Sequence, residues 1–106
     1  MGTTNSLVYP LAYQFAIRIV KAYKHLTDEK REFVLSKQML KSGTSIGANI
    51  AEANGAISKA EFRAKMSISY KESLETKYWL SIYAKLIVYF VPKFIRIFST
   101  ALTRAE

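Results

Sequence analysis

The segment Thr44–Leu80 constrains the fold more than any other part of the chain, because it contains a helix stop directly followed by a helix start. The pair Asn54-Gly55 tolerates the left-handed backbone conformation that ends many helices. Ser58 and Glu61 then have the spacing of a capping box, in which two side chains satisfy backbone amides at the start of a helix. The spacing therefore predicts two helices joined by a short turn, the second spanning about residues 59–89.

Two helices are predicted before this turn. The first runs from about Leu7 to Leu26, since its apolar residues recur every three or four positions, the period of one buried helix face. This inner face consists of Val8, Leu11, Phe15, Ile19, Ala22 and Leu26. Thr27 and Asp28 can each cap a helix through a side-chain oxygen, so the second helix is predicted to span Asp28 to Asn54. Its inner stripe consists of Leu35, Met39, Ile46, Ile50 and Ala53.

Gly43 and Gly47 lie beside the inner stripe of the second helix. Each glycine weakens a helix by about 1 kcal/mol relative to alanine. Because two glycines four positions apart remove side-chain bulk from one face, we expect a neighbouring helix to approach closely there.

The remaining chain predicts a fourth helix. Pro92 suits its first turn, where a missing amide hydrogen has no cost. Its buried face would consist of Phe94, Phe98, Ala101 and Leu102. With 106 residues and no strand pattern, residues 1–106 are predicted to form one domain, an all-α antiparallel up-down four-helix bundle.

Composition limits the partners. The net charge is +8, from 16 basic and 8 acidic residues, which favours a polyanion such as nucleic acid. The alternative is a basic surface that serves only solubility or an acidic protein. The chain has no cysteine, and its longest apolar run, Leu86–Val91, is far shorter than the roughly 20 residues that span a membrane. Without a secretory signal at its N-terminus, the protein is predicted to be cytoplasmic, with no membrane partner.

Catalysis has little support. His25 is the one histidine, and near the end of a helix its imidazole most simply provides a favourable charge. No glutamate precedes it at the spacing of di-metal bundles, and no glycine-rich phosphate loop is present. The sequence therefore predicts a protein that is not an enzyme, with no catalytic residues, metal or cofactor.

The third helix combines acidic and apolar side chains on one predicted face. The apolar face consists of Phe62, Ile68, Ser69, Thr76, Trp79, Leu80 and Tyr83, and Lys65, Glu72 and Glu75 project from the same side. Carboxylates in an apolar stripe are costly unless paired. One interpretation is an acid/base or metal pair of Glu72 and Glu75. We favour a structural polar network of Asn49, Glu52, Lys65, Glu72 and Glu75 that fixes helix register.

The first helix has a second apolar stripe, roughly opposite the first. Its members are Tyr13, Ala16, Ile17 and Val20. A helix of a lone bundle needs one such stripe, so Tyr13, Ile17 and Val20 are predicted to form a contact between copies of the chain. Scattered surface apolar residues, which are common, are the alternative.

Basic residues cluster by helical spacing and are the candidate nucleic-acid-binding residues. They are Arg18 and Lys21 on the first helix, with His25 beside them, Lys37 and Lys41 on the second, and Lys59, Arg63, Lys77 and Lys85 on the third. Tyr70 shares the arc of the last four, so that phosphates and a stacked base could bind together. A solvated lysine face is the alternative. No recognition-helix arrangement or RNA-binding motif is present, which predicts low sequence specificity.

The segment described first also resembles a bacterial family, the 23S rRNA intervening-sequence proteins. The matching positions are Ser45, Ile46, Asn49, Ile50, Ala51, Glu52, Glu61, Phe62, Lys65, Ile68, Lys71, Glu72, Glu75, Thr76, Tyr78, Trp79 and Leu80. The match is strong from Ser42 to Leu80, looser over the first helix and poor after Leu86. Ser69 and Ser73 stand where the family more often has alanine.

The resemblance implies an up-down four-helix bundle whose relatives assemble into pentameric barrels with a basic surface. A related branch comprises the accessory proteins of diversity-generating retroelements, which contact nucleic acid and a reverse transcriptase. No enzymatic activity is established for the family. The leading hypothesis is a non-enzymatic homo-oligomer that binds RNA or DNA, and the alternative is a protein-binding scaffold.

Overall fold

A computed structural model describes residues 5–87 of the chain and the side chains of residues 7–85. It contains three helices: α1 (Asn5–Asp28), α2 (Leu35–Asn54) and α3 (Lys59–Ile87). Since residues 5–87 include no strand, the all-α class is confirmed. The fourth helix expected from Pro92 onward lies outside the described residues, so the four-helix bundle stays a prediction.

Helix α2 lies between α1 and α3 and packs along both. Its residue Gly43 faces Ile19 of α1, and Gly47 faces Ala12, so the numbering falls on one helix as it rises on the other. Between α2 and α3, Ser42 is hydrogen-bonded to Thr76 at 3.0 Å and Ile46 to Ser69 at 2.9 Å, so this pair of helices is antiparallel too. Successive helices therefore run in opposite directions, as the short connections require.

The three helices share one hydrophobic core. Its fully buried large side chains are Phe15, Ile19, Met39, Ile46, Ile50 and Tyr83. Ala12, Ala22, Leu26 and Leu80 complete the cluster, and Val8, Leu35, Met66 and Trp79 pack against it partly buried. Most of the predicted inner faces of α1 and α2 are thus buried, whereas Leu11 stays exposed at the edge of α1.

Gly43 provides the close helix contact that the glycine spacing predicts. A Cβ atom at this position would lie 2.9 Å from Cγ1 and 3.0 Å from Cγ2 of Ile19, a buried β-branched side chain with little freedom to move. A Cβ atom at Gly47 would lie 3.6 Å from the backbone and Cβ of Ala12, an ordinary van der Waals distance. Only Gly43 is therefore required for the packing of α1 against α2.

Gly43→Ala and Gly47→Ala should change the free energy of unfolding in opposite directions. Gly47→Ala gains helix propensity without a clash and should raise the free energy of unfolding by up to about 1 kcal/mol. Gly43→Ala has the same gain, but it forces Ile19 out of place at a cost of about 1–3 kcal/mol, so a net loss is expected. Urea unfolding followed by circular dichroism compares the two variants. Equal stabilisation of both would contradict the close contact.

The α2–α3 contact is built from small hydroxyl residues. Ser42, Ser69, Ser73 and Thr76 are buried, and the hydroxyl of Ser69 donates to the carbonyl oxygen of Ile46 across the interface at 2.9 Å. Because these side chains are short, α2 approaches α3 along a narrow arc. The buried face of α3 is therefore narrower than the apolar face that the sequence predicted, and Ile68 lies at its exposed edge.

The expected boundary between the first two helices is wrong. α1 continues through Asp28, and the hydroxyl of Thr27 donates to the carbonyl of Tyr23 at 3.0 Å instead of capping a new helix. Residues 29–34 form a connection in which Arg31 has a left-handed backbone, with φ of 56°. α2 therefore begins at Leu35, seven positions later than the Asp28 start that the capping residues predicted.

Glu32 caps α2 in place of Asp28. Its carboxylate accepts hydrogen bonds from the backbone amides of Val34, Leu35 and Ser36 at 3.1, 3.0 and 2.7 Å. The same carboxylate also accepts a hydrogen bond from the hydroxyl of Tyr83 on α3. One side chain thus satisfies the free amides at the start of α2 and fastens the α1–α2 connection to α3.

The capping signal of α3 is found at the predicted place. The amide of Glu61 donates to the hydroxyl of Ser58 at 3.0 Å, as a capping box requires. The carboxylate of Glu61 accepts from the amide of Ile57, at 3.4 Å, instead of that of Ser58. The turn between α2 and α3 is therefore short and closed by its own residues.

Candidate nucleic-acid interface

Four predicted basic residues and one tyrosine form a strip along the outer side of α3. We call this the basic strip: Lys59, Arg63, Tyr70, Lys77 and Lys85. At 3.6 residues per turn the five positions fall within an arc of about 80°. All five side chains are exposed, and none of the four basic residues forms an ion pair within the described part of the chain. The strip is therefore an uncompensated positive surface.

The acidic residues of α3 lie on a different side of the helix. Glu61, Glu72 and Glu75 fall within an arc of about 60°, which does not overlap the arc of the basic strip. Lys65 is the basic residue on the acidic side, and its Nζ is 2.7 Å from Oε1 of Glu52 on α2. Because charges of opposite sign are separated around the helix, a polyanion can lie along the strip without meeting a carboxylate from α3.

The spacing along the strip follows from the helical rise. Arg63 and Tyr70 are two turns apart, as are Tyr70 and Lys77, so that each pair is separated by about 10 Å along the axis. The Tyr70 side chain is 62% exposed and stands between the two cations. Within the described residues the aromatic pairs are Tyr9–Tyr13 and Tyr78–Trp79, and the ring of Tyr70 contacts no other ring.

The four other candidate basic residues do not join the strip. Arg18 is half-buried and Lys21 exposed on α1, and Lys37 is exposed on α2. Lys41 is also exposed on α2, where its charge acts on the carboxylate of Glu72. The eight candidates thus divide into one continuous strip and residues on separate helices.

The residues of the predicted polar network make separate contacts. The amide of Asn49 donates to the carbonyl of Ser45 on its own helix at 2.8 Å. Glu75 is exposed, in contrast to its predicted place on the apolar face, and accepts from Nε1 of Trp79 at 3.2 Å. These two contacts lie within single helices, and the Lys65–Glu52 ion pair is the one that joins α3 to α2, so the five residues do not form one continuous layer.

Glu72 is the acidic residue of α3 with a raised pKa. Partial burial is the main cause, the nearby carboxylate of Glu75 adds to it, and Lys41 opposes the shift. The Glu52 carboxylate that Lys65 contacts raises the pKa of that lysine.

Residues 5–87 contain no group of three His, Cys, Asp or Glu side chains positioned to hold a metal ion. Nδ1 of His25 lies 3.7 Å from the Glu29 carboxylate, beyond the last turn of α1.

The second apolar stripe of α1 is only partly covered. Tyr13 is 53% exposed, and Ile17 and Val20 are half-buried. The rings of Tyr9 and Tyr13 lie 6.2 Å apart, centroid to centroid. Tyr13, Ile17 and Val20 form an apolar surface about 150° around the helix from the core-facing side.

Sequence reasoning missed two features of this region. Tyr78 is 59% exposed near the strip, but its ring packs edge-on against Trp79 with centroids 5.1 Å apart. The Glu32–Tyr83 contact joins residues 51 positions apart, and no local spacing rule indicates such a pair.

No helix within residues 5–87 has the length and apolar character needed to cross a lipid bilayer.

The described fold and surface define an all-α protein of antiparallel helices with a basic outer helix. Residues 4–101 match the family model described as 23S rRNA-intervening sequence protein, and the chain belongs to this family. The predicted family resemblance is thereby confirmed.

A solved structure agrees with this assignment. The chain is 43% identical to a protein with unknown function from the S23 ribosomal protein family of Bacteroides thetaiotaomicron VPI-5482. The alignment covers 92% of this chain and 91% of that one, with a TM-score of 0.83. No curated protein sequence matches the chain.

Proposed function

We propose that this protein is a non-enzymatic, self-associating helical protein that binds RNA or DNA with low sequence specificity. The observation that supports the proposal is the basic strip: four exposed cations on one side of α3, with the acids of that helix on another. A polyanion gains from such a surface because each phosphate contact releases condensed counterions. Since the strip lies along one helix and includes no groove-reading element, its contacts are to the backbone and not to particular bases.

Self-association is the second part of the proposal. The partly covered stripe of Tyr13, Ile17 and Val20 provides an apolar surface for another copy of the chain. The family resemblance suggests a ring of five subunits and a further relation to retroelement accessory proteins. In a closed ring every subunit presents its strip in the same orientation, so a nucleic acid could contact several strips at once.

Fluorescence anisotropy of labelled RNA and DNA across a salt series tests the binding. Sub-micromolar affinity is expected at low salt, with a steep linear decrease of log K against log salt concentration. Light scattering on the same sample should give a mass that is a multiple of the 12.1 kDa chain.

The opposite outcomes have clear meanings. Absence of binding even at low salt would contradict the nucleic-acid proposal and favour a scaffold that binds protein. A monomeric mass would contradict the predicted contact through Tyr13, Ile17 and Val20, without affecting the basic strip.

A further inference from the structure

We propose that Tyr70 makes the basic strip selective for single-stranded over double-stranded nucleic acid. This inference rests on the proposed function and deepens it, since it names the form of nucleic acid that the strip binds. The occupant is a single strand whose phosphates contact the cations of the strip while one base stacks on the Tyr70 ring.

The surroundings of Tyr70 leave its ring accessible. It is 62% exposed in the middle of the strip, about 10 Å along the axis from Arg63 on one side and from Lys77 on the other. Within residues 5–87 its ring makes no aromatic contact and its hydroxyl forms no hydrogen bond. A tyrosine side chain has only two torsion angles, so ordering its ring against a stacked base costs little conformational entropy.

The geometry of the ligand provides the selectivity. The bases of a duplex are stacked on each other, so a duplex lying along α3 offers its phosphates but no free base face. A single strand offers both, and its bases can turn toward the ring while the backbone follows the cations. Since any base can stack, the preference for single strands requires no sequence recognition.

Tyr78 provides a matched comparison within the same helix. It is 59% exposed, almost as much as Tyr70, and lies one position beyond Lys77. Its ring already packs edge-on against Trp79, and it lies about 80° away from Tyr70 around the helix. Tyr78 should therefore contribute less to stacking, although the two residues are the same type with similar exposure.

The test compares Tyr70→Leu with Tyr78→Leu and Tyr70→Phe in the full chain. The probes are labelled oligothymidylate of about 15 nucleotides, within the site sizes of single-strand binders, and a mixed-sequence duplex of the same length. Tyr70→Leu should weaken single-strand binding about 5- to 150-fold, the loss of one stacked base, and leave duplex binding within about twofold. Tyr70→Phe, which keeps the ring, and Tyr78→Leu should stay close to the unmodified protein.

Each other outcome overturns the inference in a distinguishable way. If both probes bind but Tyr70→Leu weakens them equally or not at all, the selectivity is contradicted and the nucleic-acid proposal stands. An equal loss in Tyr78→Leu would contradict the assignment to Tyr70. If neither probe binds at low salt, both the inference and the proposed function are wrong.

Discussion

Replacing Glu32 with alanine is expected to lower the free energy of unfolding by about 2.5–4 kcal/mol at neutral pH. The substitution removes the acceptor for three backbone amides at the start of α2, and loss of a helix cap costs about 1 kcal/mol. It also leaves the hydroxyl of Tyr83, whose side chain is 2% exposed, without its carboxylate partner. Hydrogen bonds to charged groups contribute about 1.5–3 kcal/mol. Urea unfolding at fixed protein concentration measures the loss.

Tyr83→Phe separates the two roles of Glu32. The phenylalanine ring keeps the packing and removes only the hydroxyl, so a loss of about 1–2 kcal/mol is expected, with the helix cap intact. In a double-mutant cycle, Glu32→Ala and Tyr83→Phe should show a coupling of about 1–2 kcal/mol. Additive effects would mean that the carboxylate and the hydroxyl do not interact in solution.

The contribution of Glu32 should also disappear in acid. Burial alone would raise the pKa of this carboxyl, but the Tyr83 hydroxyl and the amides of Leu35, Ser36 and Val34 together lower it below its ordinary value of 4.5. A carboxyl with a lowered pKa in the folded state stabilises the protein above the unfolded-state pKa, and this stabilisation is lost as the pH falls through the folded-state value. The difference in stability between the unmodified protein and Glu32→Ala should therefore be constant from pH 7 to about 5 and decrease below pH 4.5.

Tyr83 titrates in the opposite range. Burial, followed by the hydrogen bond and the negative charge of Glu32, raises the pKa of its hydroxyl strongly. The proton therefore stays on Tyr83 in the folded protein at neutral pH, and the hydroxyl is the donor to Glu32. This assignment agrees with the lowered pKa of the carboxylate, because both shifts favour the same protonation state of the pair.

Local signals in the sequence predicted where α2 ends and where α3 begins, because the Ser58–Glu61 spacing acts within a few residues. The expected left-handed stop at Asn54-Gly55 is wrong, since Gly55 has φ of −94° and Arg31 is the residue with positive φ among those described. Gly43 was predictable for a similar reason, because a glycine on a buried helix face requires a compensating contact.

The start of α2 could not be predicted in the same way. Thr27 and Asp28 are good capping residues, whereas glutamate is not a usual cap, so the sequence favours the wrong boundary. The carboxylate of Glu32 is held by Tyr83, which is 51 positions away, and this long-range contact outweighs the local preference. Helical periodicity placed Glu75 on the apolar face for a related reason: it cannot tell how closely α2 approaches α3.

The candidate interface was partly predictable. Periodicity identified the arc shared by Lys59, Arg63, Lys77 and Lys85, because angular position on one helix follows from residue number alone. It could not separate this strip from Lys41, whose charge acts on Glu72 across the α2–α3 contact. It placed Tyr70 in this arc, but it could not predict the contact of Tyr78 with Trp79, which depends on side-chain conformation.

Neutralising Arg63 and Lys77 together is expected to weaken single-strand binding about 25-fold at 0.1 M monovalent salt. For single strands each phosphate contact contributes about 0.7 to the slope of log K against log salt, so Arg63→Gln/Lys77→Gln should reduce the magnitude of the slope by about 1.4. At 0.1 M salt a change of about 1.4 in slope corresponds to about 1.4 in log K, and the affinities should converge as the salt concentration rises. Anisotropy titrations at several salt concentrations measure both quantities on the same samples.

The matched variant Lys37→Gln/Lys41→Gln removes the same charge from α2. Because Lys41 already acts on the Glu72 carboxylate and both residues lie off the basic strip, it should change the slope by clearly less than about 1.4. This comparison separates phosphate contacts from net charge, since both variants lower the charge of +8 by two. Equal effects of the two variants would mean that the protein attracts nucleic acid through its overall charge. A larger effect of the α2 variant would place the contact on α2 and contradict the basic strip.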